Sequence, residues 1–552
     1  MSNIEKLVFR NIYIRSNITK QLELFRDNYT LKVNSIEDFI YYPYREYVFH
    51  LIYSSKEEFK WPHQCQNLVV NILTLHRYIP LNVIGIPSTI KRVRVLEIEN
   101  RELKEEEIPN WVEELCFMFG FDQVVPVGLL PQALHTLRLG QNFNTKLLPG
   151  SIPTGVHTLS LGVHYNHPLG PSILPPNLAD LMLSSFFNQE IKILDIPSVT
   201  SLCLGNSFNK PIEVGVLPSN IKKLIFSTFF DQTLLAGSIP SKCKYLWLGH
   251  SFNKPISAGV FPDGICSIEF SQNFDQPIEQ GTFPDSIEKL SFGNFNQTLI
   301  KNSLPRNLKS LMFGGFDKPL SPGAIPNSVV NLSFYSFSHP LEKNHIPESC
   351  TILNLGSRFN QIISPLILPN SIKKLTLGGY DQNLDEHSIS SSFIVPNSVN
   401  YLILENFDQP LSNSDQSISF FSPNSSLTKL ELNGFNKPIL EGQLPKSLLD
   451  LKFFCFNQVL LPNALPPNLL YLKLGMSFNQ NLHQYSIPSS CKEIEFGNSF
   501  NAPLKHGDLP EGLEVVSFGY KFNQIINDKD IFPSNIKLVI FHNLLMKTKV
   551  DL

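Results

Sequence analysis

A short aromatic motif returns through this chain at a nearly fixed distance, and that period decides what the chain can fold into. Residues 316–326 read FDKPLSPGAIP, and the opening of that stretch reappears as FNKPI at 208–212, 252–256 and 435–439 and as FDQPI at 274–278. Nineteen copies run from Phe121 to Phe522. Successive aromatics fall at an even step, as at Phe208, Phe230, Phe252, Phe274, Phe295 and Phe316, and the step lengthens only from Tyr380 to Phe407 and from Phe407 to Phe435. One motif per short, constant period marks a solenoid, in which each unit buries its apolar side only by stacking on its neighbours. The 552 residues would otherwise suggest several domains. Stacking explains the length without them.

Each unit carries more than its motif. In Pro131-Gln132-Ala133-Leu134-His135-Thr136-Leu137-Arg138-Leu139-Gly140, Leu137 and Leu139 alternate with Thr136 and Arg138, the pattern of a short half-buried strand. The pair returns as Leu159/Leu161, Leu224/Phe226, Leu290/Phe292, Leu375/Leu377 and Leu472/Leu474. The shorter units lose a single position between strand and aromatic, GNF at 293–295 against GQNF at 140–143. Two proline columns follow the same period, one before each strand (Pro131, Pro153, Pro218) and one three residues after the aromatic (Pro211, Pro255, Pro277). So much proline leaves little room for helix, and the return arm is expected to be extended.

The residue after the aromatic is Asn twelve times, Asp six times and Ser once, at Ser338. A side-chain oxygen is what the three share, and its expected task is to accept backbone N–H groups at the turn, coil upon coil. Calcium ligation is the other use of such a column. It is disfavoured by the predominance of Asn and by the lack of a second acidic column.

The ends differ. Residues 1–64 lack the repeat. Ile4, Leu7, Val8, Ile12, Ile18 and Leu22 recur at near-helical spacing, so 4–24 is predicted to be an amphipathic helix, and 36–54 a second helix broken near Pro43. This segment reads either as a helical cap on the solenoid or as a docking module; the leucine-proline start of an F-box is not present in it. Degenerate repeats are expected over 65–108, clear ones over 109–541, and a short tail over 542–552. The charged run Glu102–Glu107 is predicted to be a solvated loop.

Composition narrows the function classes. Net charge is −3 and the pI about 6.5, which argues against a nucleic-acid binder. No run approaches the roughly 18 apolar residues of a membrane span. The opening MSNIEKLVFR holds charge and no long apolar run, and the eight cysteines are scattered with no CxxC pair. The expectation is a reduced, cytoplasmic protein. The phosphate-binding, dinucleotide, zinc-protease and nucleophile-elbow motifs are all missing, so no enzyme and no cofactor is expected.

The L-x-x-L-x-L segment is in phase with a leucine-rich repeat, but here an aromatic precedes the Asn. With F-N-x-P-I following, as at Phe208-Asn209-Lys210-Pro211-Ile212 and Phe252-Asn253-Lys254-Pro255-Ile256, the chain resembles the FNIP-repeat family over about 109–541. The resemblance implies a leucine-rich-repeat-like solenoid with one short parallel strand per repeat. It also implies, for some members, a kinase or an F-box-like segment beside the repeats. No kinase motif occurs in this chain.

Protein partners are therefore expected on the strand face. The outward middle residues read Arg138, Ser160, Met182, Cys203, Ile225, Trp247, Glu269 and Ser291, with Tyr245 beside Trp247. Met182, Cys203, Ile225 and Trp247 are predicted to form an apolar stripe with Tyr245. A second candidate surface is the pair of insertions behind the long spacings, which carry Phe393, Phe420 and Phe421 among serines. The functions weighed are a protein-interaction scaffold, a substrate receptor of a ubiquitin ligase docking through 1–64, and an enzyme or sugar-binding solenoid.

Overall fold

A computed structural model of the chain describes residues 21, 24–55, 59–98, 102–197, 199–363, 367–382, 395–413, 419–524, 526 and 531–542. It divides into two compact units, Met1–Ile268 and Glu269–Leu552. Each is a parallel β-solenoid with one short strand per coil.

In the first unit the ladder runs in chain order from Thr30–Val33 to Tyr245–Trp247. Its register pairs like with like: Leu137↔Leu159, Leu159↔Leu181, Leu181↔Leu202, Leu202↔Leu224 and Leu224↔Leu246. A slip of one residue would turn this whole leucine column to solvent. In the second unit the same column runs from Leu290↔Leu311 to Val516↔Val539. Strands there are mostly four residues long, as in Lys289–Phe292. Before the strand, the lead-in proline opens a tight turn whose carbonyl accepts the N–H three residues on, as Pro131 does from Leu134 at 3.1 Å. After the strand the chain leaves with no room for a side chain: a Cβ at Gly162, where φ is +79°, would lie 1.5 Å from the Gly140 carbonyl oxygen.

The nineteen aromatics form the core spine, none more than 2% exposed. Neighbouring rings stack nearly parallel, Phe208 on Phe230 at 6.3 Å and 8°, Phe456 on Phe478 at 6.2 Å and 5°. In parts of the second unit a second ring row rises from the strand ends, Phe292 on Phe313 at 5.3 Å and Phe496 on Phe518 at 5.3 Å.

Beside the spine the Asn/Asp column makes the expected ladder, one coil at a time. The N–H of Asn166 donates to Asn144 Oδ1 at 3.1 Å, that of Asn188 to Asn166 Oδ1 at 2.9 Å, and that of Asn209 to Asn188 Oδ1 at 2.9 Å. In the second unit Asp381, Asp408, Asn436 and Asn457 continue it at 2.7–2.9 Å, undisturbed by the insertions between coils. The Ser338 N–H donates to Asp317 Oδ1 at 2.8 Å in the same way, and its Oγ donates to that oxygen as well at 2.8 Å. The next residue of the motif also reaches back. Gln382 and Gln524 Nε2 each donate 2.7 Å to the carbonyl of the preceding coil's Asn.

The return arm closes with a turn that sequence reading passed over. Seven residues after the aromatic the backbone is left-handed, at Gly215, Gly237 and Gly323 but also at Asn302, Asn344, Leu194 and Tyr485. Eight residues after it a polar side chain caps the N–H three residues earlier: Asp195 for Lys192 at 2.8 Å, Gln443 for Leu440 at 2.8 Å, Asp508 for Lys505 at 2.7 Å. His345 fills this place for Glu342 at 3.0 Å and is only 5% exposed.

The N-terminal expectation needs correction. Thr30–Val33 and His50–Tyr53 pair in parallel and continue into Ile72–Arg77, so the stack starts well inside the segment read as helical. His50-Leu51-Ile52-Tyr53 alternates outward and inward with a period of two, which suits a strand. Helix over 36–54 is limited to Ile36–Ile40, held by a capping box between Ser35 and Asp38, and the 3-10 turn Arg45–Tyr47. Of the predicted 4–24 helix, residues 21 and 24 are helical and 1–20 lie outside the described residues. The charged run is not wholly solvated: Glu107 is buried and accepts from Tyr78 Oη at 3.3 Å. Beyond Leu81–Ile84 no α-helix occurs among the described residues, and none of their helices is long and apolar enough to cross a membrane.

Three outcomes follow from these contacts. Phe208→Ala removes a fully buried ring, a change worth about 3–5 kcal/mol, and hydrogen exchange should loosen around residues 187–230 while the ends of the chain keep their protection; uniform loss would contradict coil-to-coil coupling. Asn209→Ala leaves the Asp231 N–H, now 2.9 Å from Asn209 Oδ1, without its acceptor, at about 1–3 kcal/mol. Asn209→Asp keeps an acceptor and should preserve the slow exchange of that amide. Burial lowers the His345 pKa below 6.5, against the raising influence of Glu342. The neutral ring's contribution is then complete above the unfolded value and fades as pH falls through it toward the folded value. Protection of 337–346, corrected for intrinsic exchange, should therefore drop between pH 7.5 and 5 in the wild type and stay level in His345→Gln.

Candidate functional site

Every coil sends its core columns inward and leaves two strand positions facing out. In the first unit the register aligns Met182↔Cys203, Cys203↔Ile225 and Ile225↔Trp247, one coil apart. Met182 is 53% exposed; Cys203, Ile225, Tyr245 and Trp247 are half-buried. The structure thus brings together the five residues read as a stripe. Trp247 is steadied by the edge of His250 at 5.3 Å, and Lys223 Nζ lies 5.6 Å from the Tyr245 ring centre. Such steadying lowers the entropy lost when a partner covers the rings.

The insertion surface is different. Phe420 and Phe421 are 0% and 4% exposed, so neither is presented to a partner. Phe420 packs on Phe407 at 5.0 Å and on Tyr380 at 6.1 Å, and its N–H donates to Leu411 at 2.9 Å. The extra chain folds back through a Ser412–Ser419 bridge and uses its aromatics to extend the core. Phe393 lies outside the described residues.

A polar lattice on the strand face of the second unit was not anticipated. Glu431 accepts from Tyr401 Oη at 2.8 Å and pairs with Lys452 at 3.2 Å; one coil beyond Lys452, Lys473 pairs at 2.6 Å with Glu495, which also accepts from Tyr471 Oη at 2.8 Å. Burial and then the bond to Glu431 push the Tyr401 hydroxyl up to about 12. Burial alone would raise Glu495, but its bonds from Lys473 and Tyr471 outweigh that and hold it below the usual carboxylate range. The signal lay in the strands KLEL, DLKF, YLKL and EIEF, whose outward letters set Glu431 beside Lys452 and Lys473 beside Glu495 only after they are aligned by coil. Charges already satisfied by neighbours offer little to a partner.

Cys243, Cys350 and Cys491 occupy the lead-in position that is aliphatic in other coils, and burial pushes each thiol up to about 12. They serve as small apolar side chains. Among the described residues no group of three or more His, Cys, Asp or Glu is placed to hold a metal ion. The Asn/Asp oxygens are occupied by backbone N–H groups.

The family model of the FNIP repeat matches residues 121–164, 165–207, 187–229, 208–251, 230–273, 252–295, 295–336, 337–380, 456–499 and 500–544. It passes over 381–455, where the two insertions fall. No curated protein matches the chain. Among solved structures, CroV588, described as a circular LRR protein, is 26% identical over 93% of this chain and 86% of its own, with a TM-score of 0.75. YopM from Yersinia enterocolitica is 19% identical over 94% and 92%, with a TM-score of 0.34. A chain of the Drosophila Toll–Spatzle complex is 13% identical over 85% and 65%, with a TM-score of 0.49. With the repeat model matching more than half of its length, through the same aromatic-Asn-x-Pro-Ile turns that carry the ladder, this chain belongs to the FNIP-repeat family and has a leucine-rich-repeat-like solenoid fold.

Proposed function

We propose that the chain is a non-catalytic protein-interaction scaffold and that a partner lies across the strands of the first unit. The observation that carries this reading is the continuous apolar stripe Met182, Cys203, Ile225 and Trp247, with Tyr245 beside it, four coils in succession on one outward column, preceded by the polar Arg138 and Ser160. Contiguous outward apolar surface anchored by Trp and Tyr is the usual make-up of a contact centre. The setting is a reducing, cytoplasmic one, in keeping with eight unpaired cysteines. The ubiquitin-ligase reading loses its main support, since strands at Thr30–Val33 and His50–Tyr53 draw much of the supposed docking segment into the stack.

Ile225→Ser combined with Trp247→Ala tests the proposal. Loss of a Trp anchor costs about 2 kcal/mol or more in affinity, while both side chains lie outside the core columns. Affinity purification with the double variant should lose partners that the wild type retains, at unchanged melting temperature. An identical set of partners removes the stripe from consideration.

A further inference from the structure

The column that carries the stripe continues upstream of Met182. In register it runs Thr74, Arg94, Cys116, Arg138, Ser160 and then Met182. Arg94 and Arg138 are both exposed, and neither has an ion-pair partner among the described residues. Their neighbours do: Arg92 pairs with Glu114 at 3.0 Å and Lys91 with Glu113 at 3.2 Å. Two unengaged guanidinium groups thus stand on one column, two coils apart, with only Cys116 between them. Burial pushes the Cys116 thiol up, and Arg138 and then Arg94 oppose it, so both charges are felt at that point of the face.

Resting on the scaffold reading above, we infer that the partner segment is an extended acidic-apolar peptide, its carboxylates on Arg94 and Arg138 and its apolar side chains over Met182 to Trp247. Charge complementarity selects this occupant. Guanidinium groups without partners fit carboxylates through paired N–H donors, and the stripe beyond them fits aliphatic or aromatic side chains. The two arginines lie upstream of the stripe and set the direction, and Asp180, exposed on the strand of Met182, disfavours an acid at that end of it. Coil spacing sets the rest. Parallel strands stand about 4.8 Å apart, so about 10 Å separate Arg94 from Arg138, about 10 Å separate Arg138 from Met182, and about 14 Å separate Met182 from Trp247. At about 3.3 Å per residue the segment carries two acids about three residues apart, an apolar residue about three further on, and an aromatic about four beyond that.

Fluorescence polarisation with the full chain tests this. The probe is a fluorescein-labelled peptide with two Glu, one Leu and one Trp at those spacings in a Gly/Ser background. Against the wild type, Arg94→Glu/Arg138→Glu should weaken binding at least about tenfold, Arg94→Lys/Arg138→Lys should stay within about threefold, and Ile225→Ser/Trp247→Ala should also lose binding. A peptide with Gln for both Glu, or with the acids placed after the Trp, should bind about tenfold more weakly. Equal binding of the Gln peptide, no effect of the Arg94→Glu/Arg138→Glu change, tighter binding of a labelled oligothymidylate than of the peptide, or no peptide binding at about 1 mM would each overturn the inference. If the arginine variant behaves as wild type while Ile225→Ser/Trp247→Ala loses its cellular partners, the scaffold reading stands and the acidic motif falls. If Ile225→Ser/Trp247→Ala keeps every cellular partner, the scaffold reading itself is what fails.

Discussion

Every coil depends on a hydrogen bond it cannot make by itself. The N–H of the residue after most spine aromatics is held by the side-chain oxygen of the coil before it, as Asp231 is by Asn209 and Asn501 by Asn479. Many of these amides, such as that of Asp231, are part-buried beside the ring spine, so an unmade bond there carries a desolvation cost. An isolated repeat would leave its own turn amide unmet, expose its leucines and lose its ring contacts together. Stability therefore accrues per interface, and the fold propagates along the chain instead of collapsing about one centre.

The same bond explains which parts of the period are free to vary. Strand, aromatic and Asn must meet their counterparts in register, so their spacing tolerates only the one-residue change at the strand exit. The return arm after the proline touches the neighbouring coil less strictly. Six extra residues after Tyr380 and again after Phe407 leave the Asp381–Asp408–Asn436 bonds at 2.7–2.8 Å. Loop length is entropically inexpensive when both ends are pinned this way. That Phe420 turns inward onto Phe407 shows why aromatic residues in an insertion need not be surface anchors.

What was legible in the sequence is what the stack repeats. The leucine columns, the aromatic spine and the acceptor column each recur too often to be missed, and each has one physical task. Residues with a single occurrence were harder. His50 to Tyr53 alternates over only four positions, and without a visible aromatic motif the helix period competed with the strand period. The left-handed position seven residues after the aromatic was in plain view as Gly215, Gly237, Gly259 and Gly281. Leucine, tyrosine and serine substitutes at Leu194, Tyr485 and Ser172 blurred it. The lattice around Glu431 and Glu495 was hidden because its partners lie a full coil or more apart in the chain and become neighbours only when coils are aligned.

Outward strand positions are where such a scaffold has latitude, since the inward columns are fixed by stacking. The two units use that latitude in opposite ways. In the second, Glu431, Lys452, Lys473 and Glu495 pair across coils and Tyr401 and Tyr471 donate to the two glutamates, so that stretch of the face is polar and already satisfied. In the first, the outward column keeps Arg94 and Arg138 without an ion-pair partner among the described residues and follows them with side chains that water solvates poorly. Unsatisfied charge and uncovered apolar surface both gain from contact with a complementary chain, one by electrostatic steering and the other by desolvation. A face that holds both in a fixed order, at intervals set by the coil spacing, discriminates by the order and spacing of a partner's side chains, with no need for a pocket.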